Sequence, residues 1–287
     1  MADSSVTSEN APSLAGQAYN SINGVTDQSE LSFELLLGVS VSQFPSNPLK
    51  GPLTLLYKRS AIPSMATGAT YNCTNGGSVT YNESSNALSV DAHNCREDVL
   101  VDGKVSIKLS NVVGEPSDIG NWSADIAIIY TDLTVVDGEL GMRITGDMDV
   151  AYDQTSMDNF SASSSGDSLH MRYLESGSVV LNTLLKPYDF TFGQNGVTST
   201  SGADFIYASS GSSLGDISYT LETHVPFEST GANYPHAGSF TVTATDGSTV
   251  TLTALDNTNV QLDLDLDGDS TVDETINTTW VALGDAV

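Results

Sequence analysis

Six carboxylates fall within a single twelve-residue stretch: Asp263, Asp265, Asp267, Asp269, Asp273 and Glu274. Oxygen ligands at that density suit a hard cation. Calcium takes about six to eight oxygens, so a tight turn must aim alternate side chains inward. The segment matches the loop pattern DxDxDGx5E without a gap. On that frame Asp263, Asp265, Asp267 and Glu274 are ligands, Gly268 permits the sharp bend, and the Asp269 carbonyl falls between. A second frame starts two residues later, with Asp265, Asp267, Asp269, the Thr271 carbonyl and Asp273 as ligands. It puts Ser270 at the bend, Val272 where such loops anchor to a sheet, and the non-ligating Ile276 at the closing place. Both frames share Asp265 and Asp267. Flanking helices are not evident in the pattern, so the expectation is a structural calcium loop at a hairpin tip.

The two cysteines, Cys73 and Cys95, bracket a turn (Thr74 to Gly77) and two alternating runs. A hairpin returning on itself brings them together as a disulfide. Neither a CxxC spacing nor a second thiol cluster supports a metal or redox pair. The four histidines, His93, His170, His224 and His236, share no metal-ligand spacing and read as surface or loop residues. SxxK, Walker A and GxGxxG are missing from the sequence, and Gly211-Ser-Ser-Leu-Gly215, in a Ser/Gly-rich stretch, is not read as a GxSxG nucleophile elbow. Glu139, Glu175 and Glu222 are candidate acids for glycoside chemistry only in the sense that any acidic β protein offers some. No catalytic residue is assigned, and an enzyme is not expected.

The elements that must position these residues have a period of two. Leu31, Phe33, Leu35, Leu37, Val39 and Val41 share one parity, a long half-buried strand. Trp122, Ala124, Ile126, Ile128 and Tyr130 form another stripe, and similar runs recur to Trp280. Aspartate–glycine turns separate the last of them into consecutive hairpins. Thr145 to Asp147 also reads as a turn, and the serine-rich stretch 158–167 as a polar connection. No 3.6 period is sustained. The expected fold is therefore all-β, a large antiparallel meander curled into a barrel-like sheet or a β-sandwich. Residues 1–30 read as a flexible tail, residues 31–287 as one domain, with 226–238 as a sub-boundary. The aromatics Trp122, Tyr130, Tyr152 and Tyr219 lie on the apolar parity and are expected in the core.

Thirty-six acids against nine bases leave a net charge of −27 on 287 residues. Such a chain is repelled by nucleic-acid phosphates and anionic lipid surfaces. No stretch of about 20 apolar residues is present to span a bilayer as a helix. The opening residues are not a signal peptide as written. The cysteine pair and the Asn, Ser, Thr and Gly content point to a mature exported protein that has lost its leader: extracellular, on the cell surface or periplasmic.

Residues 236–283, with a Gly–Ser hairpin, the DxDGD turn and Thr279-Trp280, resemble the closing segment of uncharacterised β-rich secreted proteins and lipoproteins of proteobacteria. Residues 72–82, with the second cysteine, are similar to a cysteine-paired hairpin in such chains. The resemblance covers about a quarter of the chain. It implies export and brings no activity. The leading expectation is a non-catalytic structural or adhesive protein, with a copy of itself (a homo-oligomer or filament) or a surface glycan as partner. For self-assembly, the stripe Leu31 to Val41 is the strand to exchange. A carbohydrate- or small-ligand-binding module and a hydrolase with an unrecognised site are the competing readings.

Overall fold

The computed structural model describes residues 5–22, 68–84, 86–97, 99–114, 121–156, 158–212, 215–231 and 233–285. The strand expected at Leu31 to Val41 lies outside them. The fold is all-β: fifteen strands form one large antiparallel sheet whose order follows the chain almost throughout. In chain order these are β1 (Ala69–Asn72), β2 (Ser78–Glu83), β3 (Ala87–Arg96), β4 (Leu100–Val113), β5 (Trp122–Asp137), β6 (Leu140–Ser156), β7 (Asn159–Gly166) and β8 (Leu169–Glu175). They continue with β9 (Ser178–Asn195), β10 (Thr198–Ser212), β11 (Gly215–Thr230), β12 (Ala237–Ala244), β13 (Thr249–Ala254), β14 (Asn259–Asp265) and β15 (Glu274–Thr279). A helix α1 covers 11–22, and α2 (Trp280–Asp285) follows β15.

The chain divides into two compact units. The first holds residues 1–26, 158–163 and 183–287; the second holds 27–157 and 164–182. The division does not fall at 226–238, which lies inside the first unit.

In the second unit the alternating residues of neighbouring strands line up into apolar rows. Leu88, Ile107, Ile128 and Met148 form one, and Val90, Val105 and Tyr130 another. Asp137 and Gly138 leave β5 as expected, but Thr145 to Asp147 is not a turn. β6 runs straight through it. Gly146 has φ +140° and meets Ser168 and Leu169 so closely that a Cβ would collide with their backbone. The glycine allows a close approach of strands rather than a reversal. The serine-rich stretch 158–167 is also a strand, β7, in which Ala162 and Ser164 are buried.

In the first unit the last hairpins are as regular as their sequence. Phe240, Val242, Val250, Leu252, Val260, Leu262 and Leu264 are fully buried, while the intervening threonines are not. Across the strands, Val242 pairs with Val250 and Val250 with Leu264.

The N-terminal segment corrects the tail reading. Residues 11–22 are helical, and Ala11, Leu14, Ala15, Ala18, Tyr19 and Ile22 are all buried. Their spacing is one face of a 3.6-residue period. Thr7 and Asn10 start the helix reciprocally. The Asn10 side chain accepts the Thr7 N–H at 2.8 Å, and the Thr7 hydroxyl accepts the Asn10 N–H at 3.2 Å. This is the logic of a capping box, with Pro12 in the first turn where its missing N–H costs nothing.

Candidate metal centre

The acidic loop joins β14 to β15. Strand alternation sets where the first of its carboxylates points. Leu262 and Leu264 point into the core, so Asp263 points the other way. Its carboxylate is taken up by the Thr275 hydroxyl at 2.7 Å and the Gln261 amide at 2.7 Å. Glu274 opens β15 opposite Leu264, and the Ser8 hydroxyl donates to its carboxylate. Neither belongs to the acidic cluster formed by the loop itself.

The cluster consists of Asp265, Asp267 and Asp269. One carboxylate oxygen from each lies within 4.8 Å of the others. Asp265 organises it. Only 7% exposed, it accepts the N–H groups of Gly268 at 2.8 Å, Asp269 at 3.2 Å and Ser270 at 2.8 Å. Three backbone donors on one carboxylate wind the chain into a tight loop around it. Ser270 completes the bend with φ +68°, at the place where the second frame calls for a glycine-like conformation. Asp267 accepts the Asp269 N–H at 3.2 Å.

Asp273 and Thr271 play other parts here. Asp273 closes the loop base: its carboxylate accepts the Leu266 N–H at 2.8 Å, and its own N–H donates to the Leu264 carbonyl at 2.8 Å. The N–H of Thr271 donates to Asp269 at 2.8 Å, and its hydroxyl also bonds that carboxylate. The Thr271 side chain, and then its N–H, hold the Asp269 carboxyl below the usual range. Val272 anchors nothing, being 60% exposed.

The loop is braced from outside. Gly268 lies against Gly247, with its Cβ position 3.1 Å from the Gly247 carbonyl oxygen. Gly247 belongs to the β12–β13 turn. In that turn the buried Ser248 hydroxyl donates to Asp246 at 2.6 Å and accepts the Val6 N–H at 2.7 Å. The residues before α1 therefore touch both turns, through Val6 and Ser8. An oxygen cluster of this kind can hold a metal ion. One signal for it in the sequence went unread: no Lys or Arg follows Lys186, which makes Lys186 the only one in the first unit.

Cys73 and Cys95 form the expected disulfide, with Cα atoms 5.4 Å apart. Glu97 approaches them, but the sulfurs are bonded to each other and cannot act as thiolate ligands. Ala92, Val79 and Val101 pack around the bridge. The histidines are scattered. His93 lies 3.5 Å from Asp91, His236 lies 3.2 Å from Glu228, and His224 bonds Thr241 at 2.8 Å. His93, His170 and His224 are strand residues rather than loop residues, and His170 bonds Asn182. Trp122, Tyr130, Tyr152 and Tyr219 are buried, as their parity predicts. Glu139 lies in the β5–β6 turn and Glu175 ends β8, while Glu222 belongs to the other unit. No helix among the described residues is long and apolar enough to cross a membrane. No protein family, curated protein or solved structure matches the chain.

Proposed function

We propose that this chain is a non-catalytic exported β protein whose last hairpin loop binds a structural calcium ion. The observation that carries the reading is the convergence of Asp265, Asp267 and Asp269 around a backbone already wound for it. An all-oxygen donor set suits calcium, magnesium or manganese over softer metals. Two of the three carboxylates, Asp267 and Asp269, are exposed, and an open loop suits the larger, more flexible shell of calcium. The disulfide favours an oxidising compartment, and extracellular calcium at millimolar levels saturates modest sites. The role we assign is structural or adhesive, with self-association as its mode.

Metal analysis of the purified protein, with melting curves in calcium and in chelator, tests it. Calcium at about 100 times its dissociation constant adds about 2.7 kcal/mol to the stability of a folded state that alone binds it. The expected result is a melting temperature that rises with calcium in the native chain and not in Asp265→Asn or Asp267→Asn. A native chain indifferent to both calcium and chelator overturns the proposal.

A further inference from the structure

Arg143 and Arg172 stand directly opposite each other on the antiparallel pair β6–β8. Directly opposed residues have Cβ atoms about 4.5–5.5 Å apart, and like charges there repel. Both guanidiniums are nonetheless held in place, each by a neutral acceptor. Arg143 Nε donates to Thr134 Oγ1 at 3.0 Å, and that hydroxyl bonds the Asp132 carbonyl at 3.3 Å. Arg172 Nη2 donates to His170 Nδ1 at 3.2 Å. Arginine has no acceptor, so Nδ1 must carry a lone pair. The proton then sits on Nε2 and is donated to Asn182 Oδ1. The imidazole thereby serves Arg172 as a hydrogen-bond acceptor.

Two carboxylates flank this face, and both are engaged elsewhere. Asp132 accepts the Thr145 hydroxyl at 3.0 Å, and Asp102, opposite Thr134, accepts the Asn94 N–H at 2.9 Å. Among the described residues neither arginine forms an ion pair with a carboxylate. Two of the chain's four arginines are thus opposite in register with no carboxylate on either among the described residues. Like charges in register are unfavourable, and an anion shared between them relieves that.

We propose that Arg143 and Arg172 form a binding site for a small tetrahedral dianion, a sulfate or phosphate group. The planar guanidinium fork matches the oxygens of such a group two at a time. The ligand is small because a protein of net charge −27 repels a polyanion at longer range. His170 is a positioning residue that aims Arg172 without neutralising it. The site lies in the second unit, apart from the acidic loop, and does not depend on the calcium reading.

Calorimetric titration of the full chain with sodium sulfate and with sodium phosphate tests it, in chelator and at constant ionic strength. Sodium acetate is the control ligand. Glucose 6-sulfate and glucose 6-phosphate form a second arm. The expected result is saturable binding of at least one inorganic dianion. Arg143→Gln and Arg172→Gln weaken it by about tenfold or more, the scale of one lost charge-assisted bond. Arg143→Lys, which keeps the charge and loses the fork, is also weaker, while Lys108→Gln binds as the native chain does. His170→Ala weakens binding and His170→Gln, which retains an acceptor, restores it. Binding of the esters shows a group carried on a larger ligand, and binding of inorganic ions alone shows a free ion; either supports the site. No saturable binding of either dianion, equal binding by the glutamine variants, or equal binding of acetate overturns it.

Discussion

Tyr19, on the buried face of α1, packs its ring 4.5 Å from that of Trp280 at the start of α2. The two belong to opposite ends of the chain. Phe227 joins them, 5.4 Å from Tyr19 and 6.1 Å from Trp280. The indole N–H of Trp280 donates to the carbonyls of Pro235 at 3.1 Å and Asp256 at 3.2 Å, so the ring is fixed from both sides. The first unit is thus closed by a segment that composition alone marks as a tail.

Tyr19→Ala removes the ring at the centre of that cluster. A buried aromatic cut to alanine costs about 3–5 kcal/mol, and Tyr19 is only 6% exposed. We expect a loss of about 3 kcal/mol by urea denaturation. Because the same segment holds Val6 and Ser8 against the two turns, the calcium response should weaken with it. A change below about 0.5 kcal/mol, the range of surface substitutions, would restore the tail reading.

The disulfide makes a separate prediction in the other unit. Replacing both cysteines by serine frees a 22-residue separation, which costs about 3 kcal/mol in the chain-entropy picture. Hydrogen exchange should locate the loss in β1 to β4, where Cys73, Ala92 and Cys95 pack together. The calcium-dependent rise in melting temperature should persist, since the acidic loop lies in the first unit. Loss of that response in the cysteine-free protein would show that the units do not behave separately.

What the sequence made legible follows from how local the signal is. The hairpins from Phe240 onward read correctly because each strand alternates cleanly and each turn carries its own Asp, Asn or Gly. The disulfide read correctly because a hairpin brings its ends together. α1 was missed because half of its apolar face is alanine: three of its six buried apolar side chains are Ala. Small residues make a weak stripe, and the Thr7–Asn10 cap uses Asn where the usual signature has Glu or Gln. β7 was missed because serines can line a strand when neighbours satisfy them. The metal frame could not be decided from spacing, since both frames fit. Strand parity does not decide it either, since it puts Asp263 and Asp265 on one face; Asp265 is set apart by the loop N–H groups that gather on its carboxylate where β14 ends.

The pH dependence carries two opposite signs. Asp246, held low first by the Ser248 hydroxyl, and Asp256, held low first by the Asn259 amide, stabilise the fold while ionised. That stability is present above the ordinary carboxylate range and is lost as pH falls through their depressed values. Asp189 runs the other way. Burial, and then the Asp204 charge, push its carboxyl above the ordinary value of 3.8. Its ionised form is a penalty at neutral pH, relieved as pH falls through the raised value. Asp189→Asn should therefore raise the melting temperature at pH 7, and its advantage should vanish near pH 3, where the native chain is protonated too. A constant advantage across that range would remove the electrostatic cause.

Ser270 allows the loop geometry to be tested without touching a carboxylate. At φ +68° it occupies the left-handed region, which costs a non-glycine residue about 1–2 kcal/mol. Serine bears that strain because its N–H is held by Asp265 at 2.8 Å. Ser270→Gly relieves the strain and adds back some unfolded-state entropy, so the net effect should be neutral to stabilising by about 1 kcal/mol. Ser270→Val places a β-branched side chain where φ is positive and should destabilise by about 1–2 kcal/mol. Calcium titrations of the two variants separate backbone from ligand effects. If the bend at Ser270 sets the distances among Asp265, Asp267 and Asp269, the valine variant binds calcium more weakly and the glycine variant does not. Equal affinity in both would mean that the ion does not depend on this bend, and that the cluster is organised by Asp265 alone.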